Sequence, residues 1–204
     1  NIVNLKSYYN INTCEAGCDE AGRGCLAGPV VAAAVILNPD RPIRRLNDSK
    51  QLNEQQREAL RPEIEEKALS FAVHFIGPNE IDLINILQAS LRAMMLSVGQ
   101  LTCKPELILV DGNKTIPFLQ IPQVAIIKGD TLYQSIAAAS ILAKTYRDEF
   151  MTAIHQEFPW YNWKKNKGYP TAEHRSAILT HGFTPHHRMT FKIKDPNGTV
   201  NLFS

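Results

Sequence analysis

Cys18-Asp19-Glu20-Ala21-Gly22-Arg23-Gly24 is the stretch on which the reading of this chain turns. It lies between residues 11–17, which can run as a strand, and residues 30–37, a run of Val, Ala, Ile and Leu. That placement sets two adjacent carboxylates at a strand end, followed at once by an arginine with a glycine on each side. Successive side chains on a strand face opposite ways, so Asp19 and Glu20 cannot duplicate one another. One faces a site while the other reaches it from the strand end. Glycine at 22 and 24 lifts the steric limit on the backbone and lets another molecule approach it. An acid pair next to a glycine-flanked arginine points to bound cations beside a phosphate chain.

The wider composition is compatible with such a site. At 204 residues and 44% hydrophobic content the chain can bury one substantial core. No stretch approaches the ~18 consecutive apolar residues of a membrane span. The start of the chain has neither an initiator Met nor the charged-then-apolar pattern of a secretory signal. Cysteines at 14, 18, 25 and 103 form no disulfide framework, and their spacing lacks the paired repeats of a structural zinc site. Buried thiols in a reducing cytoplasm are expected. The net charge of +2 hides a gradient: residues 160–194 hold seven Lys or Arg and one acid, Glu173, hence +6, which leaves −4 for the remainder. A basic C-terminal third beside an acidic remainder suits a polyanion-binding surface that serves a metal-binding acidic centre.

Further along, the pattern alternates strands and helices. Residues 28–37 read as a strand buried on both faces, closed by Asn38-Pro39-Asp40. A helix is expected from the N-cap Asn53 to Leu69, kinked or divided by Pro62. A short strand (71–76) and a single helix (79–98) with an apolar stripe come next. Strand 106–110 delivers Asp111, and strand 123–127 leads to Lys128-Gly129-Asp130, where a long helix is expected to start and run to about 156. Carboxylates at strand ends stand where open α/β sheets hold ligands. A last helix is expected from near Thr171 to Gly182, and the remaining twenty or so residues read as polar and extended.

Asp19, Glu20, Asp111 and Asp130, brought together, would repel one another unless divalent cations intervene. Oxygen-only donors suit Mg²⁺ or Mn²⁺, and two such ions can activate a water and stabilise the leaving oxygen in phosphodiester cleavage. No nucleophilic triad or P-loop competes, and most of the histidines at 155, 174, 181, 186 and 187 read as surface or capping residues. A DNA transferase or resolvase of related fold, and a non-catalytic nucleic-acid-binding module, are the other readings of the same features.

The motifs also resemble a known family. Asp19-Glu20-Ala21-Gly22-Arg23-Gly24, Asn47-Asp48-Ser49-Lys50, Asp111-Gly112-Asn113, Lys128-Gly129-Asp130, the segment 137–144 (AAASILAK), Lys167-Gly168-Tyr169-Pro170-Thr171 and His187-Arg188 follow the order of the type 2 ribonuclease H family. The resemblance covers residues 12–191. It implies an α/β ribonuclease H-like fold in three layers, with a mixed five-stranded sheet flanked by helices and a C-terminal helical extension. Residues 1–160 would form the catalytic domain and 161–204 a basic extension packed on it. It implies two-metal-ion endonucleolytic hydrolysis of RNA in RNA/DNA hybrids, including a lone ribonucleotide in duplex DNA, giving 3′-hydroxyl and 5′-phosphate ends. By motif, Asp19, Glu20, Asp111 and Asp130 would be the metal ligands. Gly22, Arg23 and Gly24 would meet the 2′-hydroxyl, Tyr169 would pack at the RNA–DNA junction, and Lys50, Lys144 and Lys167 would hold phosphates. The chain departs from the family in Met189-Thr190-Phe191, where Ser commonly precedes the Phe; the hydroxyl is kept. The tail after Phe191 shows no sliding-clamp motif, so clamp recruitment is not expected, and the chain is expected to be a monomer.

Overall fold

The computed structural model describes residues 5–46, 51–195 and 198–200. Asn47-Asp48-Ser49-Lys50, including the phosphate contact expected of Lys50, lie outside the described residues. Strand β1 (Glu15–Ala21) occupies the centre of a five-stranded sheet. Strands β2 (Val30–Ile36) and β3 (Ser70–Ile76) extend it antiparallel on one side; β4 (Leu107–Asp111) and β5 (Gln123–Ile126) extend it parallel on the other. The order is β3-β2-β1-β4-β5, a mixed sheet as the resemblance implied.

Helices cover both faces. Helix α1 (Glu54–Lys67) and helix α4 (Gln134–His155) pack on one, where Leu60, Ile64 and the run Ala137, Ala138 and Ala139 meet Ala33 and Val35. Helices α2 (Pro78–Ile84) and α3 (Ile86–Gly99) pack on the other, where Ile81, Ala93 and Met94 meet Cys18, Ala32, Ala34, Ile108 and Val110. Alternate residues of β2 therefore serve opposite layers, and small side chains let both layers come close. At Gly17 of β1, helix and strand backbones nearly touch: an added Cβ would sit 2.2 Å from the carbonyl carbon of Ser135 in the first turn of α4. A third core joins the C-terminal segment to this body. In it Tyr161, Trp163 of the short helix α5 (Trp163–Asn166), and Ala177 and Ile178 of α6 (Ala172–His181) pack on Leu26, Ala27, Met151 and Ile154. The last described residues form an antiparallel pair of short strands, β6 (Ile193–Asp195) and β7 (Gly198–Val200).

Several boundaries differ from the sequence reading. β1 begins and ends about four residues later than expected, so Asp19 and Glu20 are in the strand rather than beyond it. The cause is pairing: β2 holds this strand through Ala21↔Val31, while residues before it turn back so that the Tyr9 and Asn10 amides donate to the Glu15 carboxylate. Pro62 does not divide α1, which runs unbroken through it. It lies on the exposed side, and Leu60 and Ile64 on either side of it hold the helix to the core. The single helix expected over 79–98 is two helices, bent by 117° at Asn85, whose φ of 67° breaks the ladder and whose side chain caps the Gln88 amide. The long helix starts at Gln134, and Asp130 sits ahead of it in a 3-10 turn (Gly129–Thr131). No single helix among the described residues is long and apolar enough to cross a membrane.

Candidate active site

Parallel pairing of β1 with β4 runs Glu15↔Leu107 to Cys18↔Val110, so the next step along both strands sets Asp19 beside Asp111. Residues level with each other on neighbouring strands project to the same face. Asp19 is buried on the α4 side, where it accepts from its neighbour's amide, Glu20 N, at 2.7 Å and from the Ser140 hydroxyl. Asp111 Oδ1 accepts from the Gly129 amide at 2.7 Å, which anchors the 3-10 turn carrying the buried Asp130 next to the strand end. Glu20 faces Arg23 across a 3.1 Å ion pair. Asp19, Glu20 and Asp111 lie close enough to act on one another's titration. Burial, then the negative charges of Glu20 and Asp111, push the Asp19 carboxyl well above its ordinary range. Burial also raises the Glu20 carboxyl, opposed first by Arg23. The structure thus brings three of the four expected acids into mutual range and tethers the loop of the fourth to one of them. Among the described residues, no three His, Cys, Asp or Glu side chains converge as they stand on one point that could hold an ion. Each acid of the trio instead points to a local donor: an amide, a hydroxyl or a guanidinium.

Beyond β1 the chain makes a tight turn, closed by Cys25 N donating to the Gly22 carbonyl, with Arg23 and Gly24 exposed at its tip. Gly22 has φ +91°, and a Cβ there would meet Arg147 Nε at 2.0 Å. Tyr169 stands beside this turn, its ring 5.7 Å from Lys144 Nζ and 5.9 Å from the Arg147 guanidinium. The segment before it is zipped to the loop by Leu26 N donating to the Gly168 carbonyl at 2.8 Å. The expected phosphate-binding lysines point at acids: Lys144 Nζ pairs with Asp148 at 2.6 Å, and Lys167 Nζ with Glu54 at 3.2 Å.

Four residues near the site carried no assigned role in the sequence reading. Ser140 lies one helical turn before Lys144 and one face with Arg147, a spacing visible in the sequence once α4 is known to line the site. Arg147 is fully buried and donates to the carbonyls of Pro29, Lys167 and Ala27. His174 and His187 are buried, against the surface or capping place expected of most histidines; His187 carried a sequence signal in the His187-Arg188 motif, whereas none separated His174 from the other histidines. An indole N–H only donates, so Trp163 Nε1, 3.0 Å away, assigns His174 Nε2 as an acceptor and leaves its Nδ1–H to donate to the Tyr169 carbonyl. His187 Nε2 closes on the same atom at 3.3 Å while its Nδ1 accepts from the Thr184 amide. Burial holds both imidazoles below the ordinary histidine range, His187 at about 3. The effect is a neutral, rigid support beneath Tyr169.

Comparison with known proteins agrees with this arrangement. The family model "Ribonuclease HII" matches residues 16–194. Ribonuclease HII of Bacteroides thetaiotaomicron is 58% identical over 198 residues, 97% of this chain and 98% of that protein. Among solved structures, the ribonuclease HII of a PCNA:RNase HII complex from Archaeoglobus fulgidus superposes with a TM-score of 0.72 at 28% identity, covering 89% of this chain and 96% of that one. An RNase HIII, Bst-RNase HIII in complex with Mn²⁺, shares the fold (TM-score 0.71, 20% identity, covering 87% of this chain and 66% of that one). A match running from the second residue of the central strand into β6, and taking in every carboxylate of the cluster, makes this chain a member of the ribonuclease HII family.

Proposed function

We propose that the chain is an endoribonuclease that hydrolyses the RNA strand of RNA/DNA hybrids, including a single ribonucleotide in duplex DNA, leaving 3′-hydroxyl and 5′-phosphate ends. The observation that carries this reading is the side-by-side placement of Asp19 and Asp111, with Glu20, at the root of a turn whose backbone is open at Arg23 and Gly24. Asp19, Glu20, Asp111 and Asp130 would hold the divalent cations. The set is all oxygen: Cys18, next in sequence, is buried in the opposite layer, so a hard ion such as Mg²⁺ or Mn²⁺ suits it. When bound, a pair of such ions supplies an activated water and neutralises charge at the leaving oxygen. Carboxylates raised by burial and mutual repulsion are those that gain most from a cation.

The protein's own groups do the rest. Gly22, Arg23 and Gly24 would offer backbone to the 2′-hydroxyl, the group that separates RNA from DNA. Tyr169, half-exposed and supported from beneath, would pack on the sugar at the junction. Lys144 and Lys167 would take phosphates by exchanging Asp148 and Glu54 for a stronger anion, and Lys50 would add a third contact. Residues 1–160 read as the catalytic domain and 161–204 as a basic extension sharing its core, in a cytoplasmic monomer. PCNA association belongs to the archaeal protein. The test is incubation with Mg²⁺ and duplex DNA holding one ribonucleotide, beside an all-deoxy control. The expected result is one cut at the ribonucleotide, lost in Asp111→Asn, whose side-chain oxygen can still accept from Gly129. Cleavage of the all-deoxy duplex would favour a resolvase, and binding without cleavage a non-catalytic module.

A further inference from the structure

Arg188 is almost fully buried, and no carboxylate pairs with it among the described residues. Its guanidinium is spent on three carbonyls of one loop. Nη2 donates to Gly22 at 2.7 Å, Nη1 to Arg23 at 3.0 Å and Nε to Gly28 at 3.0 Å. The side chain is held in turn from the other direction. Phe191 lies 5.1 Å under the guanidinium, and the next two residues, Met189 and Thr190, donate their amides to Asp82 at 2.8 and 3.0 Å. Burial, and among its charged neighbours Arg147, draw the Arg188 pKa down to about 10, which leaves it cationic at neutral pH.

In a trans peptide the carbonyl of one residue and the N–H of the next point in opposite directions. Every carbonyl turned inward to a buried arginine therefore turns the following N–H outward. Arg147 and Arg188 together hold six carbonyls, and most of the opposed donors are accounted for. Gly28 N–H reaches the His186 carbonyl, Gly168 N–H reaches Asn166 Oδ1, Val30 enters β2, and Pro29 has no N–H. The two that remain are the amides of Arg23 and Gly24, both at the exposed tip of the turn and both opposed to carbonyls held by Arg188. They have no partner among the described residues, and they flank the Glu20 side of the acid cluster.

We propose that Arg188 is a positioning residue for ribonucleotide recognition: its forked grip on the Gly22 and Arg23 carbonyls aims the Arg23 and Gly24 N–H groups at an oxygen acceptor of the ribonucleotide. This rests on the substrate reading above and deepens it. The role demands a planar fork with several fixed donors; a lysine ammonium keeps the charge but cannot fix two successive peptide planes. Arg147 plays the complementary part, binding the far end of the loop to the Tyr169 segment.

The test is binding without cleavage. With EDTA present, affinity is measured for two duplexes that differ only in one 2′-hydroxyl, using the wild type and Arg188→Lys, and thermal unfolding is followed in parallel. The expected result is a wild-type preference for the ribonucleotide duplex that falls by about five- to tenfold in Arg188→Lys, the worth of one or two hydrogen bonds, while affinity for the all-deoxy duplex stays within about twofold. A folded Arg188→Lys that keeps the wild-type preference overturns the proposal and makes Arg188 plain scaffold. A wild type with no preference at all overturns the substrate reading itself. Amide spectra of the labelled wild type supply a reading that needs no variant to fold. The Arg23 and Gly24 N–H signals should shift with the ribonucleotide duplex and not with the all-deoxy one. If those two stay fixed while neighbouring signals move, the proposal fails.

Discussion

Two glycines a residue apart show how differently neighbouring positions are constrained. At Gly22 the backbone is left-handed and the space for a side chain is filled by Arg147. At Gly24 no atom lies within 4 Å of an added Cβ and φ is not positive. Gly22→Ala therefore combines backbone strain with overpacking and should cost roughly 2–5 kcal/mol. Gly24→Ala should stay within about 0.5 kcal/mol of wild type in stability. Because Gly24 sits at the proposed substrate face, its variant should nevertheless lose cleavage at a single ribonucleotide. Denaturant midpoints and cleavage rates for both variants check this. Equal stability losses would mean that Arg147 yields easily and the loop is not braced.

Elements explain why part of this was legible in the sequence and part was not. The sheet strands announced themselves because each is a short apolar run bounded by turns, and the acids at 19, 20 and 111 were found from their position at those runs. The break at Asn85 was not legible, since the apolar stripe continues through it and only a capping side chain and a left-handed φ mark it. Pro62 misled for the opposite reason: a lost hydrogen bond on an exposed face is outweighed by two buried neighbours. The histidine pair beneath Tyr169 depends on α5, α6 and the segment after α6 meeting in space, so no local pattern could reveal it. That pair also has a measurable consequence. Unfolded, His187 takes up a proton near the ordinary value of 6.5; folded, it does so only at about 3. Its contribution to stability is complete above 6.5 and drains away as pH falls from 6.5 to 3, by about 1.4 kcal/mol per pH unit for one proton. His187→Asn can still accept from the Thr184 amide, so its stability should be lower at neutral pH but fall less steeply on acidification. Chemical denaturation at four pH values between 7 and 4 measures both slopes, and parallel curves would refute the assignment.

At the scale of the whole molecule, the charge gradient survives folding only in part. Of the seven cations in residues 160–194, Arg188 is buried in the loop and Lys167 leans on Glu54, so neither is a free surface charge. Lys164 and Lys165 are different. They project from α5, whose Trp163 packs in the third core and whose Asn166 is buried, and they immediately precede the Tyr169 segment. A count of charge along the sequence could not distinguish these cases, because partners such as Glu54 come from a helix more than a hundred residues away. Each phosphate contact contributes about −0.9 to the slope of log affinity against log salt on B-form duplex. Replacing Lys164 and Lys165 with Gln should therefore flatten that slope by nearly two on a hybrid, with folding unchanged. Lys167→Gln should flatten it by less than one, since a phosphate there must first displace Glu54. Binding titrations across a salt series, with metal removed to prevent cleavage, measure all three. If the double variant keeps the wild-type slope, Lys164 and Lys165 are a solvated face and the nucleic acid follows another path across the protein.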